Sequence, residues 1–267
     1  MLRKFTSLIA LLGLVAVVSP SLAAKPTTLE LPEQASQVAE NIFYLGTAQD
    51  PSTGQVVEGY AIVHPKAKPA RGGNARPSKP GGDKCYGFIA SGAKWKTIEP
   101  WVMNPANPDN LNANTLYGII EAGIGKWESA SGNTNILGSG SQTGADLSAG
   151  YGTLNSVNEV YFGELGAGTI GVTILWGYWS GPPASRQIVE WDQVYNTYYD
   201  WSAEALGVPN KMDFDNIATH ELGHSFGMDD IYSTGCTAVT MYGYGDYAQT
   251  DKRSLESADI TGINALY

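Results

Sequence analysis

The alternation of hydrophobic and polar positions predicts a β-hairpin near the start of the chain. Residues 42–45 and 56–63 are rich in β-branched and aromatic side chains, and the turn-forming run from Asp50 to Gly54 joins them. A two-stranded hairpin is marginally stable by itself in water. We therefore expect this one to pack onto the larger part of the chain that follows.

The pattern after residue 85 predicts a mixture of strands and helices. Leu116, Ile120 and Trp127 recur at helical spacing and indicate an amphipathic helix over about residues 114–129. Another helix is expected from about residue 215, with Asp213 or Asp215 as its N-cap. Strands are predicted at residues 94–102, 136–138, 157–162, 169–176 and 187–191.

Composition separates the first part of the chain from the rest. Residues 1–23 carry Arg3 and Lys4, an apolar run and then Ser21-Leu22-Ala23, which is typical of a signal peptide cleaved after Ala23. The apolar run is too short to span a bilayer comfortably, and no later segment is long enough, so no membrane span is predicted. We expect the protein to be secreted and to be a monomer.

A basic segment divides the remaining chain. Residues 65–84 read PKAKPARGGNARPSKPGGDK, with six basic residues, one acidic residue and no apolar periodicity, which predicts a linker. Residues 24–64 then form an N-terminal hairpin region, and residues 85–267 form the main domain. One hypothesis is that residues 24–84 are an inhibitory prosegment whose basic linker lies near an acidic cleft; the alternative is a passive tether.

The main domain is strongly acidic. Between Cys85 and Tyr267, 7 Lys and Arg stand against 20 Asp and Glu, and the whole chain of 267 residues carries a formal charge of −10. Such a surface repels phosphates, which argues against a nucleic-acid partner.

The run HELGHSFGMDD, from His220 to Asp230, carries the most specific chemistry. Residues four apart share a helix face, so His220 and His224 can offer ring nitrogens to one metal ion while Glu221 lies beside them. Gly227 can adopt a positive φ and turn the chain back, which makes Asp230 the candidate for the third ligand. Two imidazoles, one carboxylate and an open position are typical of catalytic zinc.

The motif resembles that of the metzincin zinc endopeptidases, in the aspartate variant seen in snapalysin-like enzymes. The run CTAVTMYGYG, residues 236–245, resembles the methionine turn of that family, with Met241 as the methionine. Residues 253–267, RSLESADITGINALY, are similar to the last helix of matrixins.

The resemblance, together with the pattern, implies an α+β layered fold in which a twisted, mostly parallel five-stranded sheet packs with about three helices. It also implies a secreted endopeptidase of protein or peptide substrates, in which Glu221 is the general base. In matrixin-like enzymes the edge strand, here within residues 167–177, pairs with extended substrate. Calcium is possible, but the sequence gives it no position.

Three alternatives remain open at this stage. A gluzincin-like site would use Glu256 instead of Asp230, and a secreted binding module would hold zinc without hydrolysing anything. Cys85 and Cys236 are the only cysteines and are expected to form a disulfide in an oxidising compartment. The rival interpretation makes Cys85 a thiolate that blocks zinc, as in matrixin zymogens.

Overall fold

The computed structural model describes residues 28–67 and 84–267. The predicted signal peptide and the greater part of the predicted linker lie outside these ranges. None of the helices in the described ranges has the length and apolar character needed to cross a membrane.

The described residues form one large sheet, a small two-stranded sheet and three α-helices. The large sheet has the strand order β1-β2-β3-β7-β8-β6-β4-β5, and β9 pairs with β10 in the small one. The strands are β1 (Ser36–Ala39), β2 (Ile42–Gln49), β3 (Val56–Pro65), β4 (Trp101–Asn104), β5 (Gly140–Gln142), β6 (Asn158–Gly163), β7 (Thr169–Tyr178), β8 (Gln187–Asn196), β9 (Trp201–Ser202) and β10 (Met212–Asp213). The helices are α1 (Ala113–Ser131), α2 (Phe214–Ser225) and α3 (Ser257–Leu266).

The α+β class is confirmed, but the sheet is larger and more mixed than expected. Strands β4 to β8 make the predicted five-stranded unit, in which β4 pairs in parallel with β5 and β6, and β6 with β8. Strand β7 is antiparallel to β8. The hairpin then adds β3, β2 and β1, all antiparallel, because β7 leaves an edge whose backbone groups β3 can pair with.

The predicted strand at residues 94–102 begins later than expected. Regular pairing starts only at Trp101, directly after Pro100, which has no N–H to donate to a ladder. The segment at residues 136–138 is a turn, since Gly138 has a φ of 73° and contacts the carbonyl of Glu99 closely, and β5 follows it. The hydrophobic residues there, Ile136 and Leu137, are buried in the core without being in a strand.

The three predicted helices are confirmed. Asn112 caps α1 by accepting from the amide of Thr115, and Asp213 caps α2 by accepting from the amide of Asn216. Helices α1 and α2 pack together in the main core around Trp127, whose indole N–H donates to the carbonyl of Thr219 in α2. A second core cluster joins the hairpin to β7, and its buried members are Leu45, Val57, Ala61, Val172, Ile174 and Trp176.

Candidate metal centre

Helix α2 carries both motif histidines on one face, one turn apart, as their spacing predicts. Both rings are fully buried. Each uses its Nδ1 as a donor to a backbone carbonyl: His220 to Thr240 at 2.7 Å and His224 to Met228 at 2.9 Å. These bonds fix the ring orientation and leave Nε2 as the free nitrogen, as is usual for metal-binding imidazoles.

The chain turns back after α2 at Gly227, which has a φ of 101° as expected from the sequence. This turn brings Asp230 to the two imidazoles. Asp230 Oδ1 lies 3.2 Å from His220 Nε2 and 3.5 Å from His224 Nε2. Its other oxygen accepts from the hydroxyl of Tyr232 at 2.8 Å.

The three converging atoms fit a metal ion. Within the described residues, His220 Nε2, His224 Nε2 and Asp230 Oδ1 are buried and have no hydrogen-bond partner. Unpartnered buried polar atoms are costly, and a cation placed among them would satisfy all three. Nitrogen and carboxylate donors of this kind suit zinc.

Glu221 lies on the same helix and is also fully buried. Thr173 on β7 donates its hydroxyl to Glu221 Oε2 at 2.6 Å. His64 on β3 lies with its Nδ1 2.9 Å from Glu221 Oε1. Burial raises the pKa of this carboxyl above its ordinary value, which favours its ability to hold a proton.

Met241 lies directly beneath α2. Its sulfur is so close to Gly223 that a Cβ there would lie 2.2 Å from it, so only glycine fits at this point of the helix. Asp259 of α3 accepts from the amides of Thr240 and Met241 and holds the turn in place. The methionine turn predicted from residues 236–245 therefore packs against the motif helix.

The comparison with protein families agrees with this geometry. A family model of the matrixins matches residues 99–267. The chain belongs to the matrixin family. Matrixins are zinc-dependent endopeptidases, so this chain is a member of a zinc metalloprotease family. A search of curated proteins finds no match.

One alternative to this matrixin site is wrong, and another has no support in the described geometry. Cys85 forms a disulfide with Cys236, with a Cα–Cα distance of 5.3 Å, so it offers no thiolate to a metal. Glu256 is the exposed N-cap residue of α3, and the described groups that could hold a metal do not include it. Those groups give no support to a calcium site.

Sequence reasoning missed three partners of the matrixin site, namely His64, Thr173 and Tyr232. They come from β3, β7 and the loop after Asp230, and no motif spacing connects them to α2. The one available signal was that His64 is the third of only three histidines in the chain.

Lys252 was missed as well. It is buried, and its ammonium donates to the carbonyls of Tyr242 and Tyr244, which lie within the methionine turn. Burial lowers the pKa of Lys252 to about 8, although the nearby carboxylates oppose the shift.

Proposed function

We propose that this protein is a secreted zinc endopeptidase in which His220, His224 and Asp230 hold the ion and Glu221 is the general base. The observation that carries the proposal is the convergence of three buried, unpartnered ligand atoms beside a buried carboxylate. A zinc site kept for folding alone has no need of a carboxylate such as Glu221 next to its open position.

The residues divide the chemistry between them. When bound, zinc supplies a Lewis acid that polarises the peptide carbonyl and lowers the pKa of water to about 7. As the oxygen of the attacking water bonds to the carbonyl carbon, Glu221 takes a proton from that water. Glu221 then gives the proton to the leaving amine as the C–N bond breaks. Thr173 holds one oxygen of Glu221 and so orients the other. The products are a carboxylate and a free amine.

The replacement of Glu221 by Gln tests the role of the base, because the amide keeps the size of the side chain but cannot accept a proton. We expect zinc content to stay at the wild-type level while cleavage of denatured casein falls by at least about 100-fold. Glu204→Gln, the same change at an exposed position, is the matched control and should keep both properties. If Glu221→Gln retained most of the wild-type rate, another group would be the base.

The same measurement separates the protease from a non-catalytic zinc module. Wild-type protein that binds zinc stoichiometrically but cleaves neither casein nor a mixed peptide library, with or without prior proteolytic treatment, would support the module. A cleavage rate that disappears with a chelator and returns with zinc supports the protease.

Secretion is the second part of the proposal. It is supported by the signal-like composition of residues 1–23 and by the disulfide between Cys85 and Cys236, which is typical of oxidising compartments. Expression of the full gene should place the protein in the medium with Ala24 as its first residue, as N-terminal sequencing would show. Retention inside the cell with Met1 intact would contradict it.

A further inference from the structure

Strand β3 fills the edge that a peptide substrate would need. It pairs antiparallel with β7 from Glu58, opposite Gly177, to Pro65, opposite Thr169. Strand β7 is otherwise the last strand of the five-stranded unit of this matrixin, next to the motif helix. An extended peptide can add to such an edge only if the edge is free.

The chain then continues across the site to its other wall. Lys66 forms a parallel bridge with Gly245, and the amide of Ala67 donates to the carbonyl of Gly245 at 2.8 Å. The ammonium of Lys66 lies 3.0 Å from the carboxylate of Asp246. Residues 58–67, which we call the arm, therefore pair with β7 through residues 58–65 and with Gly245 through residues 66–67, while β2 pairs with the other edge of residues 58–62.

His64 is the arm residue that reaches the catalytic groups. Its ring is fully buried, its centroid lies 4.1 Å from that of His220, and its Nδ1 lies 2.9 Å from Glu221 Oε1. Thr173 occupies the second oxygen of the same carboxylate. Both oxygens of Glu221 are therefore contacted by side chains, and the carboxyl is fully buried.

The arm is also held by packing at a distance from the site. Gly59 lies against the ring of Trp176 on β7, so closely that a Cβ would be 2.7 Å from the ring. The turn between β1 and β2 contacts the metal centre as well. Its residue Asn41 donates to the hydroxyl of Tyr232, which itself donates to Asp230. These contacts stabilise the arm in its position.

We propose that the arm lies in the peptide cleft as a substrate would, with His64 on Glu221, and that the chain is latent until the arm leaves. The inference rests on the proposed function. It differs from a thiolate block, because Cys85 is in a disulfide and the contact is made by an imidazole and a β-ladder. Residues 28–67 then act as an inhibitory segment that is continuous with the sheet it covers.

The test uses two variants of the full chain. Gly59→Val places a branched side chain where the ring of Trp176 lies and should displace β3, while His64→Ala frees Glu221 and leaves the backbone pairing intact. Gly118→Val is the control, since a Cβ at this exposed helical glycine meets no atom within 4 Å. Circular dichroism identifies any variant that does not fold. If either Gly59→Val or His64→Ala fails to fold, the comparison of the remaining variant with wild type tests latency.

The first readout is the binding of a fluorescent peptide hydroxamate to the zinc-loaded proteins, which requires an open cleft but no hydrolysis. We expect Gly59→Val to bind at least about 10-fold more tightly than wild type, because wild type has its cleft open only a fraction of the time. Amide exchange across residues 169–178 should become faster in the same variant. Equal affinity and equal exchange in wild type and Gly59→Val would overturn latency.

The second readout is cleavage of a fluorogenic peptide, which separates the two proposals. A faster rate in Gly59→Val and His64→Ala than in wild type and Gly118→Val supports latency. If Gly59→Val bound the hydroxamate more tightly than wild type but none of the proteins cleaved the peptide, the result would support the position of the arm in the cleft and reject the protease. A wild-type rate equal to that of both variants would reject latency and leave the protease intact.

Discussion

Two groups of carboxylates are buried against the large sheet, and they differ in what their oxygens contact. At the metal centre, Asp230 Oδ1 has no hydrogen-bond partner and faces two imidazole nitrogens. The other group, which we call the acidic cluster, consists of Glu159 on β6 and of Glu190 and Asp192 on β8. Glu190 accepts from the backbone amide of Asn155 at 3.0 Å, Asp192 accepts from that of Glu159 at 3.0 Å, and Glu159 accepts from the side-chain amide of Asn155 at 3.2 Å.

Although both groups are buried, the pKa values of their carboxyls shift in opposite directions. Burial would raise the pKa of Asp230, but the imidazoles of His224 and His220 hold it well below its ordinary value. In the acidic cluster burial raises the pKa of Glu190 to about 7, and it raises that of Asp192 well above its ordinary range, helped by the neighbouring carboxylates. Asp230 thus keeps a charge that suits a cation, whereas burial in the acidic cluster favours the protonated forms of Glu190 and Asp192.

The largest effect is expected when the charge at the metal centre is removed. Asp230→Ala takes away one of the three proposed ligands and should weaken zinc binding by more than about 100-fold, since even changes outside the ligand shell cost up to that amount. Asp229→Asn is the neighbouring control and should bind zinc as wild type does. Competition with a chromophoric chelator measures both affinities, and unchanged binding by Asp230→Ala would mean that another residue is the third ligand.

A smaller effect on zinc affinity is expected when the hydrogen bond that Asp230 accepts from Tyr232 is removed. Tyr232→Phe removes the hydroxyl that donates to Asp230 Oδ2, and we expect zinc affinity to fall by about 10-fold. Tyr244→Phe removes a hydroxyl that donates to Glu40 at 2.9 Å in an exposed position, so its zinc affinity should stay at the wild-type value. The same chelator competition compares the two, and equal losses would mean that the hydroxyl of Tyr232 has no specific role.

The acidic cluster should respond to pH instead of metal. Between pH 4.5 and about 7 the unfolded chain has lost the proton of Glu190 while the folded chain keeps it, so stability falls as pH rises. The slope from this residue reaches about 1.4 kcal/mol per pH unit. Glu190→Gln should have a flatter profile than wild type in urea unfolding at several pH values, whereas Glu204→Gln should follow wild type. Parallel profiles for Glu190→Gln and wild type would show that Glu190 is ionised in the fold.

The smallest effect belongs to a carboxylate outside both groups. Glu256 caps α3, and its replacement by Ala should reduce the free energy of unfolding by about 1 kcal/mol, with zinc affinity unchanged. Thermal unfolding and chelator competition on the same sample give both numbers. A large loss of zinc from this variant would revive the site in which Glu256 is a ligand.

The convergence of the three candidate ligands could be predicted from the sequence because its geometry is local. The four-residue spacing of His220 and His224, the glycine at position 227 and the short distance to Asp230 fix three side chains through one helix and one turn. The methionine turn with Met241 and the last helix, which contains Asp259, could be predicted for a similar reason, because residues 236–245 and 253–267 resemble contiguous family motifs. The helices followed from hydrophobic periodicity in the same way.

The position of the arm was decided only by the tertiary structure. The hairpin itself is visible in the sequence, but the residues of β3 pair with residues of β7 that are more than 100 positions away, and no local spacing encodes that register. The proximity of His64 and Thr173 to Glu221, and the pKa values of the acidic cluster, depend on the same long-range pairing. Local geometry therefore specifies the side chains that can hold a metal, while the packing of distant strands determines which groups surround them and whether a substrate can reach them.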